Sequence, residues 1–165
     1  METGATDLET LDRLSSDVVS DAQRSLDLLR AIETTIQALC YERTRFEGAA
    51  KFAHRAAEAF RNVKRDKPFD PEGKAEEKLL DAQRAAKKLY DRLIEKRGHA
   101  QKDERLTDED GVVDEYTRTI GVVADLHNGL NELRWAIGEY DADLAKGKGP
   151  ILRSAGEIES FLKAL

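Results

Sequence analysis

An apolar seven-residue repeat runs from Leu8 to Phe60 without an interrupting proline. The a and d positions of this repeat, counted from Leu8 as a, are apolar with three exceptions: Ser15, Ser25 and Arg43. A repeat of this length predicts a helix that packs along a narrow seam. A single continuous helix would be about 80 Å long, at 1.5 Å per residue. The sequence therefore predicts an elongated molecule, or a helix that breaks near Gly48.

Start and stop signals divide the rest of the chain into three further helices. Asp70 and Pro71 combine a capping residue with a proline suited to the first helical turn. Thr107 and Asp110 form a capping-box pattern, and the Gly149-Pro150 pair predicts the end of that helix. We therefore expect helices at about 8–63, 71–97, 108–145 and 151–165, with a mobile connection at 98–106, all within a single domain, 1–165. Apolar residues recur at spacings of three and four along the second and third of these helices, and each set predicts a buried stripe. The second helix carries Ala75, Leu79, Ala82, Ala86, Leu89 and Leu93, and the third carries Val113, Tyr116, Ile120, Val123, Leu126, Leu130, Leu133, Ile137, Tyr140 and Leu144.

The predicted fold class is all-α. Charged residues make up 36% of the chain and aromatic residues 6%, which is typical of extended helices that share a seam. We expect an elongated antiparallel bundle of three long helices and one short C-terminal helix, with coiled-coil-like heptad packing. Three glycines inside the third helix, at 121, 129 and 138, each cost about 1 kcal/mol of helix propensity relative to alanine. They predict the close approach of another backbone, or a kink.

Charge is segregated along the chain, although the net charge is only −6. Residues 1–50 carry a net charge of −5, residues 51–105 carry +5 and residues 106–165 carry −6. If the middle third folds back between its neighbours, the opposite charges favour that packing. If it faces outward, it forms a basic patch. We favour the internal arrangement, because the acidic segments are covalently present at high local concentration.

Several classes of protein are disfavoured by the sequence. No stretch approaches the roughly 18 consecutive apolar residues of a membrane span, and the first residues lack a basic signal region. We therefore expect a cytoplasmic protein with no membrane contact. None of the three histidines has a glutamate three residues before it, so we predict no metal site and no cofactor. His54 and Glu58, at a spacing of four, predict a surface ion pair. No catalytic residue is identified from these patterns.

The segment around His127 carries one resemblance. Leu126-His127-Asn128-Gly129 and the leucines that follow resemble the phosphoacceptor segment of one class of sensor histidine kinases. That resemblance implies an exposed histidine that attacks a phosphoryl group with the help of a neighbouring carboxylate. Here Asn128, which cannot serve as a base, stands in the place of the acid. Histidine phosphotransfer through His127 is therefore an alternative function, beside a histidine hydrogen-bonded at the edge of the seam.

Charged residues suggest two kinds of interaction. Arg43 and Arg134 occupy positions where the heptad calls for an apolar residue, and such residues fix register or partner choice by finding a carboxylate. A second alternative is nucleic-acid binding through the basic segment 51–67. Its candidate patch is formed by Lys51, Arg55, Arg61, Lys64 and Arg65.

The function that the sequence favours is non-enzymatic protein binding. Apolar seam residues would supply affinity and the charged flanks would select the partner and the register. The partner would be another protein or a second copy of the chain, as expected of a scaffold subunit, an adaptor, or an antitoxin or immunity-type inhibitor. The candidate interaction and register residues are Ile36, Leu39, Arg43, Phe46 and Arg134.

Overall fold

The computed structural model describes residues 8–31, 36–63, 65–104, 106 and 111–146, without the side chains of 28–31 and 36–40. Within these residues there are four α-helices and no β-strand. The predicted all-α bundle is confirmed. The predicted C-terminal helix at 151–165 lies outside the described residues. The helices are α1 (Leu8–Ala31), α2 (Ile36–Asn62), α3 (Lys74–Lys102) and α4 (Val112–Ala145).

The first predicted helix, 8–63, is two helices rather than one. Arg45 Nη1 lies 3.1 Å from Asp21 Oδ1, and Arg24 Nη1 lies 2.9 Å from Glu42 Oε1. In a continuous helix, residues 21 and 45 would be about 36 Å apart. α1 and α2 are therefore antiparallel neighbours, and Gly48 lies within α2. The heptad repeat could not reveal this, because it marks the same apolar face whether a helix continues or folds back.

Each helix packs mainly against two others. α4 lies between α2 and α3 on one side of the bundle, and α1 lies between them on the other. Consecutive helices run in opposite directions, but α2 and α4 are parallel neighbours, as the Arg43–Glu115 and Arg65–Asp143 pairs show. α4 is about 50 Å long, at 1.5 Å per residue. The bundle is thus elongated, with the α2–α3 connection crossing one end of it.

The core is made by the predicted apolar positions. In α2, Phe46 and Phe60 are buried together with the alanines between them at heptad positions. Leu8 is an exception, since it is 45% exposed at the start of α1. In α3, all six predicted stripe residues are buried: Ala75, Leu79, Ala82, Ala86, Leu89 and Leu93. The described seam residues of α1 and α2 are therefore turned into the bundle, against α3 and α4.

Helix boundaries differ from prediction where loops add hydrogen bonds. α3 begins at Lys74 rather than at about 71, because residues 70–73 form a turn in which Gly73 has a φ of +73°. Asp70 still caps the helix, since its carboxylate accepts hydrogen bonds from the backbone N–H of Ala75 (2.9 Å) and Glu76 (3.0 Å). α3 continues to Lys102, through part of the predicted connection, because Ala100 packs against the core.

α4 also begins later than predicted. It starts at Val112, after Gly111 with a φ of +70°, rather than at about 108. The predicted capping box at Thr107 and Asp110 lies outside the described residues. The end of α4 at Ala145 agrees with the prediction.

The end of α4 holds the crossing connection between α2 and α3. The Asp141 carboxylate accepts the backbone N–H groups of Phe69 (2.7 Å) and Asp70 (2.8 Å). The Tyr140 hydroxyl donates to the carbonyl oxygen of Lys67 at 3.1 Å. The Phe60 ring packs edge-on against Phe69 at a centroid distance of 4.6 Å. This end of the bundle is fixed by both polar and aromatic contacts.

Replacing Asp141 tests how much those polar contacts contribute to the stability of the fold. Asp141→Ala should lower the free energy of unfolding by about 2 kcal/mol, because two backbone donors lose a charged acceptor. Chemical denaturation measures this loss. The exposed neighbour Glu139→Ala is the matched control and should change stability by less than about 0.5 kcal/mol. Equal effects in the two variants would show that the connection does not depend on Asp141.

Candidate interaction surface

Arg43 finds a carboxylate inside its own chain. Its guanidinium donates to Glu115 of α4, a residue that is 5% exposed. The same carboxylate lies 3.3 Å from the Thr119 hydroxyl, which also bonds the backbone oxygen of Glu115. The seam charge therefore connects α2 to α4. It is not left free for a partner.

Arg134 connects α3 to α4. Its Nη1 donates to Gln83 Oε1 at 2.9 Å, and its Nε lies 3.8 Å from Glu76 Oε1. The amide nitrogen of Gln83 in turn lies 3.3 Å from Asn131 Oδ1 and 3.3 Å from His127 Nε2. The His127 ring is half-buried. Its Nε2 faces an amide donor, where the resemblance implied a carboxylate.

The sequence predicted three apolar interaction residues: Ile36, Leu39 and Phe46. Phe46, predicted as an interaction residue, is 1% exposed and belongs to the core of this chain. It is buried because α1 folds back over α2. The side chains of Ile36 and Leu39 lie outside the described residues. A partner-binding surface must therefore be sought elsewhere.

The five predicted basic-patch residues do not share one described face. Lys51, Arg55 and Arg61 are exposed, but Arg61 follows Arg55 by six residues, so the two point about 120° apart around the helix axis. Arg65 has a side chain that is only 10% exposed, and it lies 3.2 Å from Asp143 Oδ2 and over the Tyr140 ring. Lys64 lies outside the described residues. At Arg65, therefore, the basic middle third of the chain pairs with an acidic residue of α4, as the charge segregation suggested.

His54 forms a three-residue cluster with α4 that the sequence did not predict. Its Nε2 lies 2.9 Å from Asp125 Oδ1 and its Nδ1 lies 3.2 Å from Glu132 Oε2. The expected pair with Glu58 is not formed, since Glu58 accepts a hydrogen bond from Asn62. A glycine at 129 makes room for the ring, because a β-carbon there would lie 3.2 Å from His54 Nε2. Spacing within one helix could not reveal a contact between two helices.

The two carboxylates favour the charged form of His54. Ionised carboxylates only accept hydrogen bonds, so both ring nitrogens must carry protons to donate to them. Partial burial lowers the pKa of His54, but the hydrogen bonds and negative charges of Asp125 and Glu132 outweigh it. The pKa therefore lies above the ordinary value of 6.5.

The raised pKa predicts a pH-dependent contribution to stability. It should be fully present below about pH 6.5, the unfolded-state value, and be lost as the pH rises through the higher folded-state pKa. We expect His54→Gln to cost about 0.5–1 kcal/mol at pH 6, given the partial exposure, and much less at pH 9. Urea denaturation across this range measures it. The exposed His99→Gln is the control, and a His54→Gln effect that does not vary with pH would contradict the ion pair.

The face of α4 that points away from the bundle is a candidate interaction surface. Trp135 lies at its centre with 60% of its surface exposed, and it is the only tryptophan in the chain. Gly121, Asn128 and Ala142 align with it at heptad spacing. We call this surface the α4 outer face; its residues are Gly121, Asp125, Asn128, Glu132, Trp135, Gly138, Glu139 and Ala142.

The α4 outer face is flat beside its tryptophan. A β-carbon at Gly121 or Gly138 would meet nothing within 4 Å, so neither glycine is required by the bundle. Gly129 differs, since its β-carbon would lie 3.3 Å from both the carbonyl oxygen of Ala50 and the β-carbon of Ala53. The predicted close approach of another backbone therefore occurs within the chain at Gly129, while Gly121 and Gly138 face outward.

Comparisons with known proteins give no further guidance. Neither the protein-family models, nor the curated proteins, nor the solved structures contain a match to this chain. Among the described residues, no group of three or more His, Cys, Asp or Glu side chains is placed to hold a metal ion. No helix in the described part of the chain has the length and apolar character needed to cross a bilayer. The function is therefore argued from geometry and charge.

Proposed function

We propose that this chain is a non-enzymatic protein-binding module and that the α4 outer face is its docking surface. The partner segment would be a basic amphipathic helix of another protein. The observation that carries the proposal is Trp135, exposed on a helix face that combines small residues with one acidic edge. Scaffold subunits, adaptors and inhibitors of the antitoxin or immunity type all work by such binding.

Trp135 has the character of a binding anchor. Tryptophan, tyrosine and arginine are enriched among the few interface residues that supply most of the binding energy. Isolated exposed apolar residues are common on protein surfaces and need no explanation. What distinguishes Trp135 is its neighbours, since Gly138 and Ala142 follow it by one and two turns on the same exposed face and carry no long side chain. A partner helix could approach closely there.

The two outward glycines support the same conclusion. Each costs about 1 kcal/mol of helix propensity relative to alanine, and the bundle gains no packing from either one. A docked helix would account for that cost, because helix backbones approach most closely where side chains are absent. Gly129 differs from Gly121 and Gly138, because its absent side chain already lets α2 approach α4.

Charge selects the kind of partner. One side of the α4 outer face carries three acidic residues, Asp125, Glu132 and Glu139, at seven-residue spacing. His54 offsets part of this charge but leaves the Asp125 side chain 59% exposed and the Glu132 side chain 44% exposed. A partner helix with lysines or arginines along one edge and apolar residues in the middle would match both features.

The single tryptophan provides a direct test. In the purified chain, Trp135 should be readily quenched by acrylamide. A designed basic amphipathic helical peptide, with leucines on one face and lysines at its edges, should protect it and shift its emission to shorter wavelength. Trp135→Ala should weaken binding of that peptide at least tenfold, measured by calorimetry. A peptide of the same apolar pattern with glutamates for lysines should bind more weakly.

The control for Trp135→Ala is Tyr41→Ala. Tyr41 is 66% exposed on α2 and lies outside the α4 outer face, so its removal should leave binding unchanged. Equal binding by the Trp135→Ala variant would contradict the proposal. So would a Trp135 that is already protected in the isolated chain and becomes exposed when residues 147–165 are removed, since the chain would then cover its own surface.

The alternative functions have less support. Phosphotransfer through His127 lacks the neighbouring carboxylate, because the contact of Nε2 is with Gln83. Nucleic-acid binding through residues 51–67 has less support, because Arg65 pairs with Asp143 and is not free to contact phosphate. Arg55 and Arg61 also lie on different faces of α2. Protein binding through the α4 outer face meets neither difficulty.

A further inference from the structure

A groove between α3 and α4 gathers positive charge in an otherwise acidic protein. Its volume is about 360 Å³, within the range typical of small-ligand sites. Its lining consists of His127 of α4 and six residues of α3: Leu80, Gln83, Arg84, Lys87, Lys88 and Asp91. Three cations therefore lie against one carboxylate. The groove is separate from the α4 outer face.

Two of these cations lack a carboxylate partner in the described structure. Lys87 Nζ lies 2.7 Å from Asp91 Oδ1, but neither Arg84 nor Lys88 forms an ion pair with any described residue. They lie one turn apart on α3, and like charges at this spacing destabilise a helix. Elsewhere in the bundle, Arg43 and Arg65 pair with acidic residues of α4. An anion in the groove would remove the repulsion between Arg84 and Lys88.

Hydrogen bonds hold Gln83 of α3 and His127 of α4 in place beside these cations. Arg134 can only donate, so its bond to Gln83 fixes the amide with Oε1 toward Arg134 and Nε2 toward His127. The His127 Nε2 then accepts from Gln83, which places the ring proton on Nδ1. The half-buried ring and the partly buried Leu80 form an apolar wall beside the cations.

We infer that this groove binds a small organic phosphomonoester. The phosphoryl group lies between Arg84 and Lys88, whose two positive charges match the dianion. The organic part packs against Leu80 and the His127 ring. No bond is made or broken, and the inference does not depend on the function of the α4 outer face.

Nuclear magnetic resonance titration of the ¹⁵N-labelled chain tests this site. Phenyl phosphate should cause saturable shifts at the amides of residues 80–91 and 127, and inorganic phosphate should bind more weakly because it lacks the ring. The double variant Arg84→Gln and Lys88→Gln should weaken phenyl phosphate binding at least tenfold. The control is Lys51→Gln with Arg55→Gln, a matched exposed pair at the same spacing on α2, which should leave the affinity unchanged.

Three outcomes would overturn the inference. The first is the absence of saturable shifts in the groove with phenyl phosphate. The second is an equal loss of affinity in the α2 control, which would mean that general electrostatic attraction explains the binding. The third is tighter binding of a short single-stranded DNA oligonucleotide than of phenyl phosphate, which would identify the ligand as a phosphodiester chain. Circular dichroism of each double variant confirms that the helices are intact.

Discussion

Gly129→Leu should lower the free energy of unfolding by about 3 kcal/mol. The β-carbon alone would lie 3.3 Å from the carbonyl oxygen of Ala50 and 3.3 Å from the β-carbon of Ala53. These atoms belong to a packed helix and cannot move aside as the tip of a flexible side chain can, so the substitution overpacks the contact between α2 and α4. It also displaces the His54 ring from its two carboxylates.

The matched control for this substitution lies in the same helix. Gly121→Leu places the same side chain where a β-carbon meets nothing within 4 Å. It should raise stability by about 0.5–1 kcal/mol, because leucine has the higher helix propensity. Thermal unfolding should therefore move in opposite directions for the two variants, with a fall of about 6–12 °C for Gly129→Leu. A Gly129→Leu variant as stable as the native chain would contradict the close contact.

Arg43→Met should also cost about 3 kcal/mol. Methionine keeps most of the apolar volume of the arginine stem but removes the guanidinium from the buried Glu115 carboxylate. Removing one member of a buried ion pair is strongly destabilising, because a charge stays in a poorly solvated site without its main counter-charge. The total stability of a domain is only about 5–15 kcal/mol, so the loss should be plain in urea denaturation.

A double substitution separates the ion pair from general packing damage. Adding Glu115→Leu to Arg43→Met removes both charges and should restore most of the lost stability, because an apolar pair of similar volume often replaces a buried ion pair without loss. Arg55→Met, at an exposed site on the same helix, should have little effect. If the double variant is as unstable as Arg43→Met alone, the pair is not the source of the effect.

Periodicity within one helix was a reliable guide. The six stripe residues of α3 are all buried, and eight of the ten predicted for α4, from Tyr116 to Tyr140, are buried as well. The reason is physical: an apolar face must be removed from water, and residues three and four apart share that face. The end of α4 was predicted equally well.

Contacts between helices were beyond what periodicity can show. The reversal between α1 and α2 leaves no trace in the heptad register, although Thr34 and Thr35, between the two helices, are residues of low helix propensity. The His54 cluster depends on α2 and α4 being parallel neighbours. The heptad pattern shows that Arg43 occupies an apolar position and needs a carboxylate partner. It does not show whether that carboxylate belongs to this chain or to another. The heptad pattern gives no sign of Trp135, because this residue lies outside the apolar stripe of α4.

The proposed function depends on where the seam of residues 8–62 is buried. In the hairpin of α1 and α2 the described residues of this seam face α3 and α4, and the α4 outer face stays exposed. In a continuous rod the seam itself would be the binding surface, and Phe46 would be free to contact a partner. The two arrangements place the beginning of α1 at very different distances from the end of α2.

Pulsed electron spin resonance between labels at positions 13 and 55 measures that distance directly. Both native residues, Arg13 and Arg55, are exposed, and the single native cysteine, Cys40, is replaced beforehand. Adjacent packed helices have axes 8–10 Å apart, so with the lengths of the labels we predict a distance below about 30 Å. A continuous helix would place the two positions about 63 Å apart. A single population near the longer distance would contradict the hairpin and, with it, the assignment of the α4 outer face as the docking surface.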